Sequence, residues 1–469
     1  MVAACSGGDD PPDDASGTAG AGGTGSGGTG PGGGGSGPAG SGGSGLGGSA
    51  PGGGGGNGPA GSGGSAPGGA GGSAGAGPGA GGRGGTTGSA GAGGSAVGGR
   101  GGTGGTNAGG RGGTAGGGGA GTAGAAGAGQ GGSGGSTATT GVVAAGVRWF
   151  GRVDVSNAAQ PRFAWSGTGF VARFTGTALA ASLNNTGAFI FKPVVDGTPR
   201  PTFTTTTGTA SYTLATGLAA GEHTVALYRQ TEGGQGNSQL MSLTVTGGAL
   251  TTPPTGPGKL IEVIGDSISV GYGTLGTLAD SDCFPTESHW DAFPSFAARA
   301  LGAEVSTIGA SGRGIYRNYG GDMTDTMPKV YDRILTGSAT PAWPFQIQPQ
   351  AIVINLGTND ISNNKGDPGT PFRDAYTGLL QNVRSKNPGA YIICTNGPLL
   401  SGTELSTIQG HIRAVVQARN AAGDARVSYF EGIPPQASDK NACQYHPNAA
   451  EQEIVGNLLA TEIRAKLGW

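Results

Sequence analysis

Residues 260–267 read Leu-Ile-Glu-Val-Ile-Gly-Asp-Ser, and they indicate the architecture of the C-terminal half of the chain. A short apolar run that ends at turn residues is typical of a strand buried inside a parallel sheet. The run stops at Gly265, so Ser267 is expected on a tight turn between this strand and a helix. Functional groups of parallel sheets lie just beyond the carboxyl ends of the strands, which makes Ser267 a candidate site residue.

Strand-like and helix-like segments alternate from here to the C-terminus. Further strands are predicted at 351–356, 391–394 and 427–430, and helices at 291–301, 372–385, 409–422 and 449–467. This alternation predicts an α/β domain over residues 259–469, with a flavodoxin-like parallel sheet that is covered by helices on both faces.

Residues 138–252 have no helical periodicity and consist of short strand-like runs between turn signals. The clearest runs are 147–150, 169–174, 189–195 and 223–228. Asp196-Gly197 follows an apolar run and is typical of a hairpin turn. We therefore predict a small all-β sandwich of the jelly-roll type, which the Pro-rich segment 251–258 links to the α/β domain.

Glycine makes up 108 of the 469 residues, and most of it lies before residue 136. There is no strict three-residue period, which excludes collagen. Residues 15–137 hold too few large apolar side chains to offset the entropy of ordering, so they are predicted to form a disordered linker. Residues 1–14 are predicted to be a lipoprotein start, since Val2-Ala3-Ala4-Cys5 resembles a lipobox with Cys5 as the lipidated residue; an unmodified cysteine is the alternative.

The charge pattern limits the partners. The net charge is −2 and no basic run is present, so a nucleic-acid partner is not expected. No stretch of eighteen apolar residues occurs, so membrane contact is expected only through the lipid anchor. The cysteines lack metal-ligand spacing, and neither a metal nor an organic cofactor is predicted. We expect a monomer at the cell surface or outside the cell.

Four motifs follow one another along the α/β domain: Gly265-Asp266-Ser267, the Gly-rich block 309–314, Gly357-Thr358-Asn359-Asp360, and His446-Pro447-Asn448. Each alone is weak, because a Gly-Asp-Ser triplet is ordinarily a turn and a Gly-rich block a loop. In this order they resemble the SGNH (GDSL-type) hydrolase superfamily, and the resemblance covers residues 259–469.

The resemblance implies a serine esterase with Ser267 as nucleophile and His446 as its base. A serine hydroxyl needs such a base, and imidazole titrates in the working range. The implied oxyanion hole consists of the main-chain N–H groups of Ser267 and Gly312 and the side-chain amide of Asn359. The aspartates of these motifs, Asp266 and Asp360, are expected to shape their loops.

The group that orients His446 is left open. Many SGNH enzymes have an aspartate three residues before the histidine, where this chain has Cys443, and Gln444 is not an acid either. Asp439, a main-chain carbonyl near Cys443, or no charged group at all remain. We favour a Ser–His dyad whose imidazole is held by a main-chain carbonyl.

A narrower resemblance covers residues 142–469. The segments that carry it include Pro161–Trp165, Val195–Gly197, Thr286–His289, Tyr316–Tyr319 and Cys443–Pro447. They are similar to carbohydrate esterase family 2, of the acetyl xylan esterase type. This implies deacetylation of polysaccharides such as xylan or glucomannan, with the sandwich as part of the enzyme. The alternatives are a general short-chain or peptidoglycan O-acetyl esterase, and a catalytically silent carbohydrate-binding protein.

Several other side chains have two interpretations. Tyr316, Trp343 and Tyr445 are candidates for stacking on sugar rings, with core packing as the alternative. The rival histidines 223, 289 and 411 are expected to be structural. In an exported protein a disulfide is expected, either Cys394–Cys443 or Cys283–Cys443.

Overall fold

The computed structural model describes residues 141–469, which contain the two predicted domains within one compact unit. The predictions for residues 1–14, for the linker 15–137 and for Cys5, as well as the start of the sandwich at 138–140, lie outside the described residues. Every helix between residues 141 and 469 is too short or too polar to cross a membrane.

The N-terminal domain consists of two antiparallel sheets. Its strands are β1 (Val143–Ala144), β2 (Val147–Phe150), β3 (Val153–Asp154), β4 (Arg162–Phe163), β5 (Gly169–Gly176), β6 (Ala178–Asn185), β7 (Ile190–Val195), β8 (Thr198–Pro199), β9 (Phe203–Thr204), β10 (Gly208–Ala215), β11 (Gly221–Arg229), β12 (Ser238–Thr246) and β13 (Ala249–Thr251). One sheet has the order β1-β2-β5-β11-β7-β8, with β13 on β5 and β9 on β7. The other has the order β10-β6-β12-β4-β3.

The core of this sandwich comes from alternating side chains. In β6, residues 179, 181 and 183 are buried between the sheets, as the period of a half-buried strand requires. Aromatic rings fill the centre, where Trp149 packs against Phe163 and Phe170. The predicted hairpin turn is confirmed, because Asp196 and Gly197 both have positive φ and join β7 to β8.

The C-terminal domain alternates strands and helices. Its elements are β14 (Leu260–Gly265), α1 (Ser267–Val270), α2 (Phe293–Leu301), β15 (Glu304–Gly309), α3 (Met327–Val330), β16 (Arg333–Leu335), β17 (Ser338–Ala342), β18 (Ala351–Asn355), α4 (Thr358–Ile361), α5 (Gly369–Lys386), β19 (Tyr391–Thr395), α6 (Gly402–Ala421), β20 (Val427–Tyr429) and α7 (Ala449–Leu467). The parallel sheet has the order β15-β14-β18-β19-β20, and β16 pairs with β17 in a separate hairpin. The strand order is the flavodoxin-like one that was predicted.

Both faces of the parallel sheet are buried. In β18, Ile352 and Ile354 face one apolar cluster with α5 and α6, whereas Ala351 and Val353 face the other with α2 and α7. The unpredicted strand β15 is an edge strand with polar residues at its centre. One of them, Thr307, is buried because it bonds to His289, so burial here follows a hydrogen bond and not an apolar pattern.

The register of the sheet brings three loops together. Gly265 pairs with Gly309 on one side and with Asn355 on the other, so β15, β14 and β18 end at the same level. The blocks that start at residues 266, 310 and 356 therefore leave one edge of the sheet, at the point where the strand order reverses. Open α/β sheets bind their ligands at this switch point.

Polar contacts fasten the sandwich to the α/β domain. Arg148 forms an ion pair with Glu304 at 2.6 Å, and the buried Arg152 contacts Glu262 at 3.3 Å. Gly167 has φ of 73° and lies so close to the His289 ring that a Cβ there would approach it to 2.3 Å. Because of these close and buried contacts, the sandwich and the α/β domain form one compact unit.

Candidate active site

Ser267 lies at the turn between β14 and α1. The Asp266 side chain caps this helix by accepting the N–H of Ile268 at 3.1 Å. Gly265 has no room for a side chain, since a Cβ there would lie 1.9 Å from the Ser269 hydroxyl oxygen. The turn is therefore tight, and it leaves the Ser267 side chain 4% exposed at the carboxyl edge of the sheet.

His446 contacts this serine directly. Its Nε2 lies 2.8 Å from the Ser267 Oγ, although 179 residues separate the two in sequence. The imidazole is 2% exposed, and the Tyr272 ring packs edge-on against it at 5.0 Å between centroids. The structure thus brings the predicted nucleophile and base into hydrogen-bond contact.

The loop that carries His446 is closed and cross-linked. Ala442 N donates to His446 O at 2.7 Å, and Asn441 bridges to Pro447. Cys443 forms a disulfide with Cys283, which decides between the two pairings left open by the sequence. Cys394 is instead a buried free thiol, and burial raises its pKa to about 12.

The environment of His446 keeps its ring neutral. Burial lowers the pKa of His446 to about 4, and hydrogen bonds with the main chain at Cys443 and Gln444 act in the opposite direction. Groups that favour the protonated ring are acceptors, so these partners are carbonyls. Within the described residues no carboxylate contributes to this shift. The main chain at Cys443 and Gln444 therefore favours the protonated ring, which is what the favoured dyad requires of it, and the dyad stays a prediction.

The oxyanion-hole candidates lie on the two neighbouring loops. Gly312 has φ of 74° and is partly exposed, and its main-chain N–H has no partner among residues 141–469. Asn359 Nδ2 donates to the Arg313 carbonyl at 2.9 Å and makes a long contact of 3.4 Å with Asp266 Oδ2. The second amide proton of Asn359 is thus only weakly engaged.

The two aspartates of the motifs shape their loops, as expected. Asp360 accepts the main-chain N–H groups of Ile315, Tyr316 and Arg317 at 2.8–3.0 Å. Burial raises the pKa of Asp360 to about 6 and that of Asp266 to about 7, the latter with a contribution from the Asp360 charge.

The rival histidines are structural, as predicted. His289 is held between Thr307 Oγ1 at 2.8 Å and Ser295 Oγ at 3.0 Å, and burial lowers its pKa to about 3. His411 bonds to Arg373 and to Asp367. His223 lies in β11 of the sandwich and pairs with Asp196.

The aromatic residues predicted to stack on sugar rings lie at two different places. Tyr445 is 44% exposed next to His446, and the partly buried Tyr316 lies on the loop that Asp360 holds. The structure does not bring Trp343 to this edge. It is 8% exposed, and it lines a small cavity with Leu260 and Pro349, which lie at the amino ends of β14 and β18. Trp343 is a core side chain because the hairpin β16–β17 ends beneath the opposite edge of the sheet.

Sequence reasoning missed three side chains of the site. Tyr272 packs on His446, and Gln452 of α7 bonds to the Ile268 carbonyl at 3.0 Å. Glu232, from the sandwich, accepts the main-chain N–H of Ser311 at 2.6 Å. Only the Gly-Tyr-Gly spacing around Tyr272 is a visible signal, since the other two contacts are long-range. Residues 141–469 contain no cluster of His, Cys, Asp and Glu suited to a metal ion.

Two family models match the two domains. The Carbohydrate esterase 2 N-terminal model matches residues 149–254, and the GDSL-like Lipase/Acylhydrolase family model matches residues 263–454.

Similar proteins cover both domains together. Cellulase/esterase CelE of Acetivibrio thermocellus is 35% identical over 326 residues, which is 69% of this chain but only 40% of that protein's length. An acetylxylan esterase / glucomannan deacetylase of Cellvibrio japonicus is 29% identical over 68% of this chain and 90% of its own.

Solved structures of carbohydrate esterases are also similar to this chain. A family two carbohydrate esterase from Clostridium thermocellum in complex with cellohexaose has 35% identity and a TM-score of 0.66, covering 69% of this chain and 99% of its own. A carbohydrate esterase family 2 enzyme plus carbohydrate binding domain from Corynascus thermopiles (Myceliophthora fergusii) has 33% identity and a TM-score of 0.62, covering 69% and 100%.

Proposed function

Because this chain belongs to carbohydrate esterase family 2, we propose that it removes O-acetyl groups from polysaccharides of the xylan and glucomannan type. The observation that carries the proposal is the contact of 2.8 Å between Ser267 Oγ and His446 Nε2 at the switch point of the sheet. A buried, neutral imidazole in hydrogen-bond contact with a serine is the arrangement that acyl transfer needs.

The proposed reaction has two steps. Ser267 Oγ attacks the acetyl carbonyl while His446 Nε2 takes the hydroxyl proton. His446 then gives this proton to the sugar oxygen as the ester bond breaks, which leaves acetyl-Ser267. Water attacks the acyl group while His446 takes one of its protons, and His446 returns this proton to Ser267 Oγ as the acyl bond breaks, which releases acetate and restores Ser267.

Three donors would stabilise the tetrahedral oxyanion. These are the main-chain N–H groups of Ser267 and Gly312 and the side-chain amide of Asn359, which exchanges its long contact with Asp266 for the substrate oxygen. Removal of one such donor costs about 100- to 1,000-fold in turnover.

The exposed Tyr445 and the partly buried Tyr316 would flank the acetylated sugar, where aromatic faces pack well against pyranose rings. We also propose an extracellular or cell-surface location with Cys5 as a lipid anchor. The Cys283–Cys443 disulfide supports the location, since such bonds persist in oxidising compartments.

The experiment is acetate release from acetylated xylan, acetylated glucomannan and acetylated peptidoglycan, with wild type beside Ser267→Ala and His446→Ala. We expect release from the plant polysaccharides and a loss of at least about 1,000-fold in both variants. Release from peptidoglycan alone would move the substrate to the bacterial wall. A wild type that is inactive on polymers and on simple acetate esters would contradict the proposal and favour a carbohydrate-binding protein.

A further inference from the structure

A carboxylate of the sandwich reaches into the site of the α/β domain. Glu232 follows β11 and is 3% exposed, and its Oε2 accepts the main-chain N–H of Ser311 at 2.6 Å. Ser311 immediately precedes Gly312, the main-chain donor proposed for the oxyanion hole. This hydrogen bond therefore connects the sandwich to the proposed oxyanion hole.

The turn that carries Glu232 is rigid. The buried Arg229 donates to the carbonyls of Thr231 at 2.9 Å, Glu232 at 3.3 Å and Gly236 at 2.8 Å. Its guanidinium thus fixes the main chain on both sides of the acid. An acceptor on this turn has a defined position, and it can define the position of the group that it binds.

Packing alone does not account for an acid at this position. Burial raises the pKa of Glu232, and Ser311, Arg313 and Arg229 act in the opposite direction. An apolar side chain would fill the same space without the cost of removing a carboxylate from water. The feature that only an acceptor provides is the bond to the Ser311 amide.

The loop after β15 is held at several points, and each has its own partner. Tyr319 N donates to the Gly312 carbonyl at 2.7 Å, and Asn359 Nδ2 donates to the Arg313 carbonyl. These bonds fix the carbonyls of residues 312 and 313. The bond to Glu232 fixes the Ala310–Ser311 peptide, which directly precedes the peptide that carries the Gly312 N–H. With the Gly312 carbonyl held by Tyr319, both sides of the Ser311–Gly312 peptide are then fixed, and so is the direction of the Gly312 N–H.

We propose that Glu232 is a positioning residue for the oxyanion hole: the sandwich holds the Ser311 amide through this carboxylate and thereby aims the Gly312 N–H at the substrate carbonyl. This inference rests on the proposed esterase function. It makes the sandwich a contributor to transition-state stabilisation, although it supplies no group that touches the reacting atoms.

A second buried acid provides a matched control. Glu287 belongs to the α/β domain, close to Glu232 of the sandwich, and is 1% exposed. Burial together with the Glu232 charge raises the pKa of Glu287 well above its ordinary value. A hydrogen bond with the Glu232 main chain acts in the opposite direction, and Glu287→Gln keeps an acceptor oxygen at the same reach for this bond. Glu287 makes no contact with Ser311 among the described residues.

The test compares two substitutions of Glu232, one that changes the charge of the side chain and one that changes its length. Glu232→Gln keeps an acceptor oxygen at the same reach and removes the charge, whereas Glu232→Asp keeps the charge and withdraws the oxygen by one methylene. The expected kcat on an acetate ester is within about 3-fold of wild type for Gln and at least 10-fold lower for Asp, because losing a whole donor costs about 100- to 1,000-fold. KM should stay within about 3-fold in both, and Glu287→Gln should match wild type.

Hydrogen–deuterium exchange over residues 305–318 gives a readout that is independent of activity. Faster exchange in Glu232→Asp, with protection retained in Glu232→Gln and Glu287→Gln, supports the proposal. The proposal is overturned if Glu232→Asp has the same exchange protection and the same kcat as wild type. It is also overturned if Glu232→Asp is more active than Glu232→Gln, since the charge of residue 232 would then be the important property. A wild type without esterase activity contradicts the proposed function, and the exchange comparison still decides whether Glu232 holds the loop.

Discussion

Removal of the Cys283–Cys443 disulfide tests how the base is held in place. The bond joins residues 160 apart, so in the chain-entropy account it removes about 5 kcal/mol of freedom from the unfolded chain at 25 °C. Measured effects are usually about 2–4 kcal/mol. For a value of about 3 kcal/mol, we expect the double variant Cys283→Ala/Cys443→Ala to melt about 4 °C below wild type, given about 2.1 cal/mol/K of unfolding entropy per residue over residues 141–469.

The same variant is expected to lose activity beyond its loss of stability. Cys443 lies three residues before His446, and the disulfide packs against Gly273, where a Cβ would lie within 3 Å of both cysteine Cβ atoms. Without the cross-link, the loop keeps the short hairpin between Asn441 and Pro447 and a few hydrogen bonds, such as that of Thr274 Oγ1 to the Pro447 carbonyl at 3.3 Å. We expect kcat at 25 °C to fall about 10-fold, because small displacements of a catalytic group are costly.

The assay combines thermal unfolding with kcat on an acetate ester, at a temperature where both proteins are fully folded. Cys394→Ala is the control, since Cys394 is buried and unpaired; it should lose some stability and keep its kcat. A double variant that melts within about 2 °C of wild type and retains full kcat would refute the reasoning, because the loop would then be held without the cross-link.

Four further outcomes are expected. Asn359→Ala should lower kcat by about 100- to 1,000-fold with little change in KM, as measured by steady-state kinetics on an acetate ester. The acid limb of kcat/KM should have its midpoint near pH 4, because a base whose pKa burial has lowered stays neutral until the pH falls through that value; a midpoint near 6.5 would contradict the burial of His446. The buried aspartates, with pKa values of about 7 and about 6, are already protonated in that range. Trp343→Ala should cost about 3–5 kcal/mol of stability, measured by denaturant unfolding, whereas Tyr445→Ala should keep its stability and raise KM on polymers.

Local patterns predicted most of the α/β domain. The helix ending at Leu467 and the strand starting at Leu260 have the predicted bounds within a residue. The strand is recognisable because it is a short apolar run that is buried along its whole length. Helix α6 begins at Gly402, seven residues before its predicted start, and its first turns reach the core through Leu405 and Ile408 only. Strand β15 was missed for a related reason, because its buried Thr307 is satisfied by a histidine from another segment.

Long-range contacts account for what the sequence left open or misassigned. The pairing of Cys283 with Cys443 depends on how the loop after α1 packs against the His446 loop. Trp343 was a candidate for stacking on sugar rings, with core packing as the alternative, because residue type does not say at which edge of the sheet a side chain lies. Glu232 has no local motif, because its partner Ser311 is 79 residues away and in another domain.

The acidic side chains of the site accept main-chain N–H groups. Asp266 accepts one main-chain N–H at the start of α1, Glu232 one from Ser311, and Asp360 three on the adjoining loop. A carboxylate beside His446 would stabilise the imidazolium and raise the pKa of the resting base, whereas the buried ring held by carbonyls remains neutral over a wide pH range. Carboxylates that fix amides act instead on the geometry of the oxyanion hole, which exists before substrate binds. Such preorganised donors contribute the largest share of transition-state stabilisation in acyl transfer, so activity depends on a rigid oxyanion loop.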